Sequence, residues 1–234
     1  MKTIAIIPAR GGSQRVSKKN IRLIGGIPLL AHSIRIAKSS GCFDEIYVST
    51  DSKDIEHVAR FEKAQVLHRT DLTSGNNVPL LPVIQEAIGQ IGENEIDYAC
   101  MILPTAIFLD PNVLKQAATF LNNDHDLDYV ISVAEFPSSP QRALILDASS
   151  KPTMVQPNHF TTRSQDLDTH FYDAGQFSFG RSDAWLSGKP SFSANTRAIQ
   201  IEKYSSVDID TAEDFSFAEK LWRLKMATFA DELK

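Results

Sequence analysis

Cysteine is scarce in this 234-residue chain, which carries only Cys42 and Cys100. The two lie far apart and outside any C-x-x-C spacing, so they predict neither a zinc site nor a disulfide framework. No apolar run approaches the length of a membrane span, and the apolar residues before Arg10 are too few for a signal-peptide core. We expect a soluble cytoplasmic protein with no membrane partner.

An excess of positive charge is also missing. The chain has 24 Lys and Arg residues against 29 Asp and Glu residues, which leaves a net charge of -5. Nucleic-acid binding usually requires a basic face, so we expect no nucleic-acid partner. The hydrophobic share of 42% is ordinary for a globular protein, and the length suits a single domain over residues 1–234.

Two widespread nucleotide-binding fingerprints fail in the stretch from Arg10 to Asn20, which follows an apolar run from Thr3 to Ala9. A P-loop requires G-x-x-x-x-G-K-[ST], and no glycine stands five residues after Gly11 or Gly12. A dinucleotide fingerprint requires G-x-G-x-x-G, and that spacing is not met either.

The stretch nevertheless has the chemistry of a phosphate-binding loop. Gly11 and Gly12 allow consecutive backbone N–H groups to converge on an anion. Four cations of the stretch can neutralise a polyphosphate, namely Arg10, Arg15, Lys18 and Lys19. The alternative is a basic, solvated turn that binds nothing.

Strands and helices alternate along most of the chain. The apolar patterns predict strands at residues 3–9, 45–50, 65–68, 97–103, 129–135 and 197–201. They predict helices at residues 28–40, 53–62, 80–91, 111–122 and 211–230. This order predicts an α/β fold with a mainly parallel sheet covered on both faces. Ligands of such sheets bind beyond the carboxyl ends of the strands.

The alternation breaks between Phe136 and about Gly180, where prolines punctuate the sequence. We predict that this segment, residues 136–180, leaves the sheet as an excursion rather than forming an independent domain. Such an arm often packs against another subunit, and a long surface loop is the alternative.

Two carboxylates stand close together near the C-terminus. Asp208 and Asp210 alternate with apolar residues, so both side chains project from the same face of an extended segment. A hard cation such as Mg²⁺, shared with phosphate oxygens, would relieve their repulsion. For Asp210 the alternative is an N-cap of the final helix, with Glu213 completing a capping-box arrangement.

The predicted excursion is rich in hydrogen-bonding side chains. Arg163 could bind a carboxylate, and Gln165, Asp173 and Gln176 could bind hydroxyls or amides. A solvated loop of the same composition explains the pattern equally well.

Several of these stretches together resemble the acylneuraminate cytidylyltransferases, also called CMP-sialic acid synthetases. The resemblance rests on residues 6–13 (IIPARGGS) with Lys19-Asn20, on residues 48–52 (VSTDS) and on residues 208–214 (DIDTAED). Within that family, residues 156–157 (QP), 162–167 (TRSQDL) and 172–177 (YDAGQF) are similar to the pseudaminic acid branch.

The resemblance implies a three-layer, Rossmann-like nucleotidyltransferase fold whose arm mediates a homodimer and shapes the neighbour's sugar site. It implies an enzyme that joins CTP to pseudaminic acid and releases pyrophosphate, which activates the sugar for attachment to glycans or flagellin. One alternative is the same reaction on N-acetylneuraminic, legionaminic or another 2-keto sugar acid. The other is a CTP-binding regulator without catalysis.

Residue roles also follow from the resemblance alone. The implied catalytic residues are Arg10, Lys19, Asp208 and Asp210, of which the two aspartates would bind Mg²⁺. The implied nucleotide-binding residues are Arg10, Gly11, Gly12, Ser13, Lys19, Asn20 and Arg69. The residues implied to face the sugar acid are Arg163, Gln165, Asp173 and Gln176.

The chain departs from the family pattern at two places. Gln14 stands where many relatives carry Lys, so that phosphate contact is either weaker or supplied by Arg15 or Lys18. The run Asn76–Leu80 replaces a Thr-Gly-Thr-like run that is usual in the pseudaminic acid branch.

Overall fold

A computed structural model describes residues 1–12, 15–75 and 77–232, and of residues 229–232 it describes only the backbone. The strands in these residues are Thr3–Pro8 (β1), Leu23–Ile24 (β2), Ile27–Pro28 (β3), Glu45–Thr50 (β4), Gln65–His68 (β5), Tyr98–Ile102 (β6), Tyr129–Glu135 (β7), Leu144–Leu146 (β8), Pro152–Met154 (β9), Phe171–Arg181 (β10) and Thr196–Gln200 (β11). The helices are Leu29–Ser40 (α1), Lys53–Phe61 (α2), Asp71–Ser74 (α3), Leu80–Ile91 (α4), Pro111–Asn123 (α5), Ser182–Leu186 (α6) and Ala212–Glu232 (α7).

Seven strands form one sheet in the order β11-β7-β10-β6-β1-β4-β5. Strand β1 lies at the parallel centre, where Ile6 pairs with Tyr47 of β4 and Met101 of β6. Strands β5 and β11 also pair in parallel with their neighbours, whereas β10 is antiparallel to both β6 and β7. The predicted mainly parallel sheet is confirmed.

Helices cover both faces of the sheet, because β1 buries its side chains alternately on each side. Ala5 and Ile7 pack into a core with helices α1, α2 and α5, and Ile4 and Ile6 pack into a second core with α4 and α6. The predicted three-layer α/β architecture is therefore confirmed. Among the described residues, no helix combines the length and apolar character that a membrane crossing needs.

The predicted excursion is shorter in the structure than its expected bounds of 136–180. Residues 171–181 return to the sheet as the long strand β10, between β6 and β7. The polar run of β10 hid this strand, since Asp173, Gln176 and Ser178 break its apolar pattern. Phe177 and Phe179 nevertheless face the core, and Ser132 Oγ accepts the N–H of Gln176 at 3.2 Å beside a bulge. Residues 136–170 remain outside the sheet and carry the hairpin β8–β9, and we call them the arm.

Helix α7 returns to the body of the molecule. Phe215 and Ala218 are buried with Ile24, Leu29 and Phe108 in a third core. The segment that precedes α7, residues 207–210, is thereby fixed near the carboxyl ends of β1 and β6.

Candidate active site

A cleft of about 260 Å³ opens at the carboxyl ends of the parallel strands. The loop after β1, the connection from β5 to α4, the residues after β6 and the segment before α7 all contribute to its walls. Four of the predicted nucleotide or catalytic side chains line it together with Asp208 and Asp210, namely Arg10, Lys19, Asn20 and Arg69. The topology explains this convergence, because parallel strands deliver their following loops to one edge of the sheet.

The first half of the loop is tied to the end of β4. The N–H of Gly11 donates to Asp51 Oδ1 at 2.7 Å, and the N–H of Ala9 donates to the carbonyl of Ser49 at 2.9 Å. A Cβ at Gly11 would lie 2.8 Å from Cβ of Ser52, which is closer than real contacts allow. Gly11 is therefore required by the close approach of the loop to α2.

The second half of the loop folds back onto its start. Asn20 is buried, and its Nδ2 donates to the carbonyl of Arg10 at 2.9 Å. Lys18 adopts a left-handed φ of 52° before the 3-10 turn Lys19–Ile21. The ammonium of Lys18 pairs with Asp54 at 2.9 Å rather than entering the cleft, whereas Arg15 lines the cleft.

The loop after β1 and the segment before α7 meet at Asp210. Nζ of Lys19 lies 3.2 Å from Asp210 Oδ1 and donates to the carbonyl of Ile209 at 2.7 Å. Arg15 lies 2.8 Å from Asp210 Oδ2. Ile209 itself is fully buried, so the backbone between the two aspartates is held rigidly. The basic loop and the aspartates thus form one charged site.

Asp208 has no ion pair among the described residues and faces the cleft. The cleft walls partly desolvate its carboxylate and Asp210 repels it, so the pKa of Asp208 lies above its ordinary value, with Lys19 acting in the opposite direction. Two neighbouring carboxylates that open onto a cationic cleft fit a hard divalent cation that completes its coordination with phosphate oxygens and water. In the described residues no group of three or more acidic, His or Cys side chains could hold a metal ion alone.

The capping alternative for Asp210 is wrong, because the neighbouring pair Thr211 and Asp214 caps α7. Thr211 Oγ1 accepts the N–H of Asp214 at 3.1 Å, and Asp214 Oδ2 accepts the N–H of Thr211 at 2.7 Å. This is a capping box one residue further along than the predicted pair, and Glu213 is not part of it. Asp210 is left free to face the loop.

Arg69 lines the cleft from the connection between β5 and α4. Burial lowers the pKa of its guanidinium, and the nearby charges of Asp51 and Glu86 counteract that effect. Its Nε donates to Ser49 Oγ at 3.1 Å. Arg69 is therefore a half-buried cation held close to the loop after β1.

The predicted sugar-binding residues do not line this cleft within one chain. Arg163 is exposed on the arm and pairs with Asp166 at 2.8 Å, and Gln165 beside it is also exposed. Asp173 Oδ1 accepts the N–H of Gly175 at 2.9 Å. Gln176 is buried in β10, and its Oε1 has no hydrogen-bond partner among the residues that the structure describes.

Some predictions fall on residues whose structure is not described. Ser13 and Gln14 of the loop and Asn76 of the α3–α4 connection lie outside the described residues. Gly12, which precedes Ser13, is exposed.

The sequence interpretation missed the apolar wall of the cleft, which consists of Val78, Leu80, Val83 and Leu103 together with Pro104 and Thr105. Residues 103–105 follow directly after β6, so the rule that ligands bind beyond strand ends could have found them. Val78 and Leu80, which belong to the run that departs from the family pattern, line the cleft.

Known proteins are similar to this chain in fold and in sequence. The structure of CMP:2-keto-3-deoxy-manno-octonic acid synthetase complexed with CTP superposes with a TM-score of 0.73 at 16% identity, and the match covers 96% of this chain and 100% of the other. Pseudaminic acid cytidylyltransferase of Campylobacter jejuni strain 81-176 is 36% identical over 96% of this chain and 97% of its own length. CMP-N,N'-diacetyllegionaminic acid synthase of Legionella pneumophila is 31% identical over 96% and 97% of the two chains. Residues 4–232 match the family profile described as cytidylyltransferase, and the chain belongs to this family.

Proposed function

We propose that the enzyme joins CTP to pseudaminic acid and releases pyrophosphate and CMP-pseudaminic acid. The observation that carries the catalytic part is the meeting of the loop Arg10–Asn20 with Asp208 and Asp210 in one cleft. The sugar follows from the pseudaminic acid cytidylyltransferase of Campylobacter jejuni, which matches nearly the full length of the chain.

In this proposal the cleft binds the triphosphate of CTP. Both reactants are anionic, so charge neutralisation and positioning dominate the lowering of the barrier. Arg10 and Lys19 of the loop after β1 and Arg69 of the connection after β5 supply positive charge, and Asn20 keeps the loop closed by its bond to the carbonyl of Arg10. Arg15 lines the cleft and Lys18 does not, which favours Arg15 as the cation that compensates for Gln14.

Asp208 and Asp210 would hold Mg²⁺, which supplies charge to polarise the α-phosphate and to lower the pKa of the attacking hydroxyl. Asp210 already binds Lys19 and Arg15, so it links the cations of the loop to the carboxylate pair. The hydroxyl of the sugar acid then attacks the α-phosphorus in line with the leaving pyrophosphate.

We further propose a cytoplasmic homodimer in which the arm completes the sugar site of the neighbouring subunit. The hairpin of the arm exposes Leu144, Ile145 and Leu146 to more than half of their surface, which suits burial against a second chain. Arg163 and Gln165 lie on the same arm, outside the cleft of their own chain.

The test is pyrophosphate release with CTP and Mg²⁺ across a panel of pseudaminic, legionaminic and N-acetylneuraminic acids. We expect the highest kcat/KM with pseudaminic acid, and a loss of about 100-fold or more in Asp208→Asn and Arg10→Ala. Asp126→Asn, which changes an exposed carboxylate after α5, is the matched control and should keep full activity.

Preference for legionaminic acid is the second candidate, which the similarity to the Legionella pneumophila synthase favours. The panel separates the two sugars directly. CTP binding in calorimetry without turnover of any nine-carbon keto acid would instead indicate a regulator and would overturn the enzymatic proposal.

A further inference from the structure

Arg69 is positioned by hydrogen bonds of its own backbone N–H, of its side chain and of the backbone N–H of the next residue. Its N–H donates to the carbonyl of Thr50 at 3.1 Å, and its Nε donates to Ser49 Oγ at 3.1 Å. The next residue, Thr70, donates its N–H to Glu86 Oε1 at 3.0 Å. Within the described part of the chain, no other hydrogen bond of the Arg69 guanidinium is present, and Arg69 lines the cleft, so its remaining N–H groups are available to an acceptor bound there.

Glu86 uses both carboxylate oxygens to hold this segment. One accepts the N–H of Thr70, and the other accepts the hydroxyl of Thr73, which is buried. Thr70 is the N-cap residue of α3, and Ser74 Oγ donates back to the Thr70 carbonyl at 2.8 Å. One half-buried carboxylate therefore fixes the start of α3 and the residue that follows Arg69.

The helix that carries Glu86 is itself rigid. Ile84, Ala87 and Ile88 of α4 are buried in the core against β1 and β6. A side chain on such an element has a well-defined position.

Glu86 also carries negative charge close to Arg69. Burial pushes the pKa of Glu86 upward, but the hydrogen bonds from Thr70 and Thr73 and the charge of Arg69 leave it below its ordinary value. The carboxylate stays ionised near neutral pH, and it favours the charged form of Arg69.

We infer that Glu86 is a positioning residue for the nucleotide, which sets the Arg69 guanidinium in the cleft by holding Thr70 and Thr73. Glu86 does not line the cleft, so it acts through Arg69 and the start of α3. The inference rests on the proposed binding of CTP in this cleft, and it adds a residue that touches no reactant.

The test compares CTP affinity, measured by calorimetry, in Glu86→Ala, Glu86→Gln, Arg69→Ala and the double variant. We expect Glu86→Ala to weaken CTP binding about tenfold, because Thr70 and Thr73 lose their acceptor and the segment moves. Glu86→Gln should stay within about threefold of the wild type, since its amide can accept from Thr70 and donate to the Thr73 hydroxyl. In the Arg69→Ala background, Glu86→Ala should change affinity by less than about twofold, because its effect passes through Arg69.

Gln90→Ala is the matched control on the same helix. Gln90 Nε2 donates to the carbonyl of His68 at 2.8 Å, so this variant also removes one bond between α4 and the end of β5 but keeps both contacts of Glu86 with Thr70 and Thr73. We expect its CTP affinity to equal that of the wild type. Equal losses in Gln90→Ala and Glu86→Ala, or a full Glu86→Ala loss in the Arg69→Ala background, would overturn the inference.

Hydrogen exchange gives a readout that is independent of CTP. The Thr70 amide should exchange at least about tenfold faster in Glu86→Ala than in the wild type and should be unchanged in Gln90→Ala. If the wild type does not bind CTP, the proposed function fails, while an accelerated Thr70 amide still supports Glu86 as the residue that holds this segment. Unchanged exchange at Thr70 would refute it.

Discussion

Asp208 and Asp210 differ in their surroundings although only Ile209 separates them. Asp210 is neutralised by Arg15 and Lys19, whereas Asp208 meets mainly desolvation and the charge of Asp210. Both effects raise the pKa of Asp208 and disfavour its charge in the folded chain.

We predict opposite effects on stability at these two positions. In the absence of divalent metal at pH 7.5, Asp208→Asn should unfold about 1–2 °C higher than the wild type, because it removes an unfavourable charge that solvent in the cleft partly screens. Asp210→Asn should unfold at a lower temperature, since Lys19 and Arg15 lose their partner. Thermal unfolding followed by circular dichroism measures both, and a lower midpoint for Asp208→Asn would contradict the assignment.

At the level of elements, α7 determines where the aspartates lie. The ring of Trp222 on α7 contacts His32 of α1 edge-on, with 4.4 Å between ring centroids. The Nε2 of His32 lies 2.9 Å from the carbonyl of Ile24 in β2. Burial of His32 lowers its pKa, so the imidazole is neutral when these three elements are packed.

This packing predicts a dependence of stability on pH. A histidine whose folded pKa is lowered binds its proton preferentially in the unfolded chain, so stability falls as pH drops below the unfolded pKa of about 6.5. We expect the unfolding midpoint of the wild type to decrease between pH 7.5 and 5.5, and His32→Gln to show a weaker decrease. His57→Gln on the exposed face of α2 is the control and should follow the wild type. Identical pH dependence in His32→Gln and the wild type would exclude His32 as the group responsible.

The parallel half of the sheet was predictable from the sequence, and β10 was not. Strands β4, β5 and β7 have the predicted bounds because each is one short run rich in apolar and β-branched residues. Strand β10 contains Asp173, Gln176 and Ser178, which break its apolar pattern. A bulge and the backbone N–H of Gln176, which donates to Ser132 Oγ, accommodate the strand in the sheet, and these are tertiary features. Local pattern carries no information about such partners.

The candidate site likewise has residues that were predictable from the sequence and residues that were not. Chemistry alone singled out the loop cations and the aspartate pair, because charge density and spacing are readable without a fold. Glu86 was not found, since a glutamate on an amphipathic helix usually faces solvent. Only the position of α3 shows that this glutamate has two donors within reach.

At the scale of the whole molecule, the proposed dimer predicts complementation between two defective variants. Arg163→Ala impairs only the arm, and Asp208→Asn impairs only the cleft. In a dimer that shares its sites, a mixture refolded or exchanged at equal amounts should recover about a quarter of the wild-type activity, since half of the dimers contain one intact site. The measurement is pyrophosphate release before and after subunit exchange. Activity that does not exceed the average of the two unmixed variants would show that Arg163 serves its own chain or none.

The late position of β10 in the chain also has a consequence for folding during synthesis on the ribosome. Strand β7 pairs only with β10 and β11 among the described strands, and both are made after the whole arm. At about 5–20 residues per second, β7 therefore waits for seconds with both edges open. The seven residues of β7 are mostly apolar, so the open edges of this strand expose the nascent chain to aggregation during the interval. The length of the arm thus sets a delay in folding, whatever the arm contacts once the chain is folded.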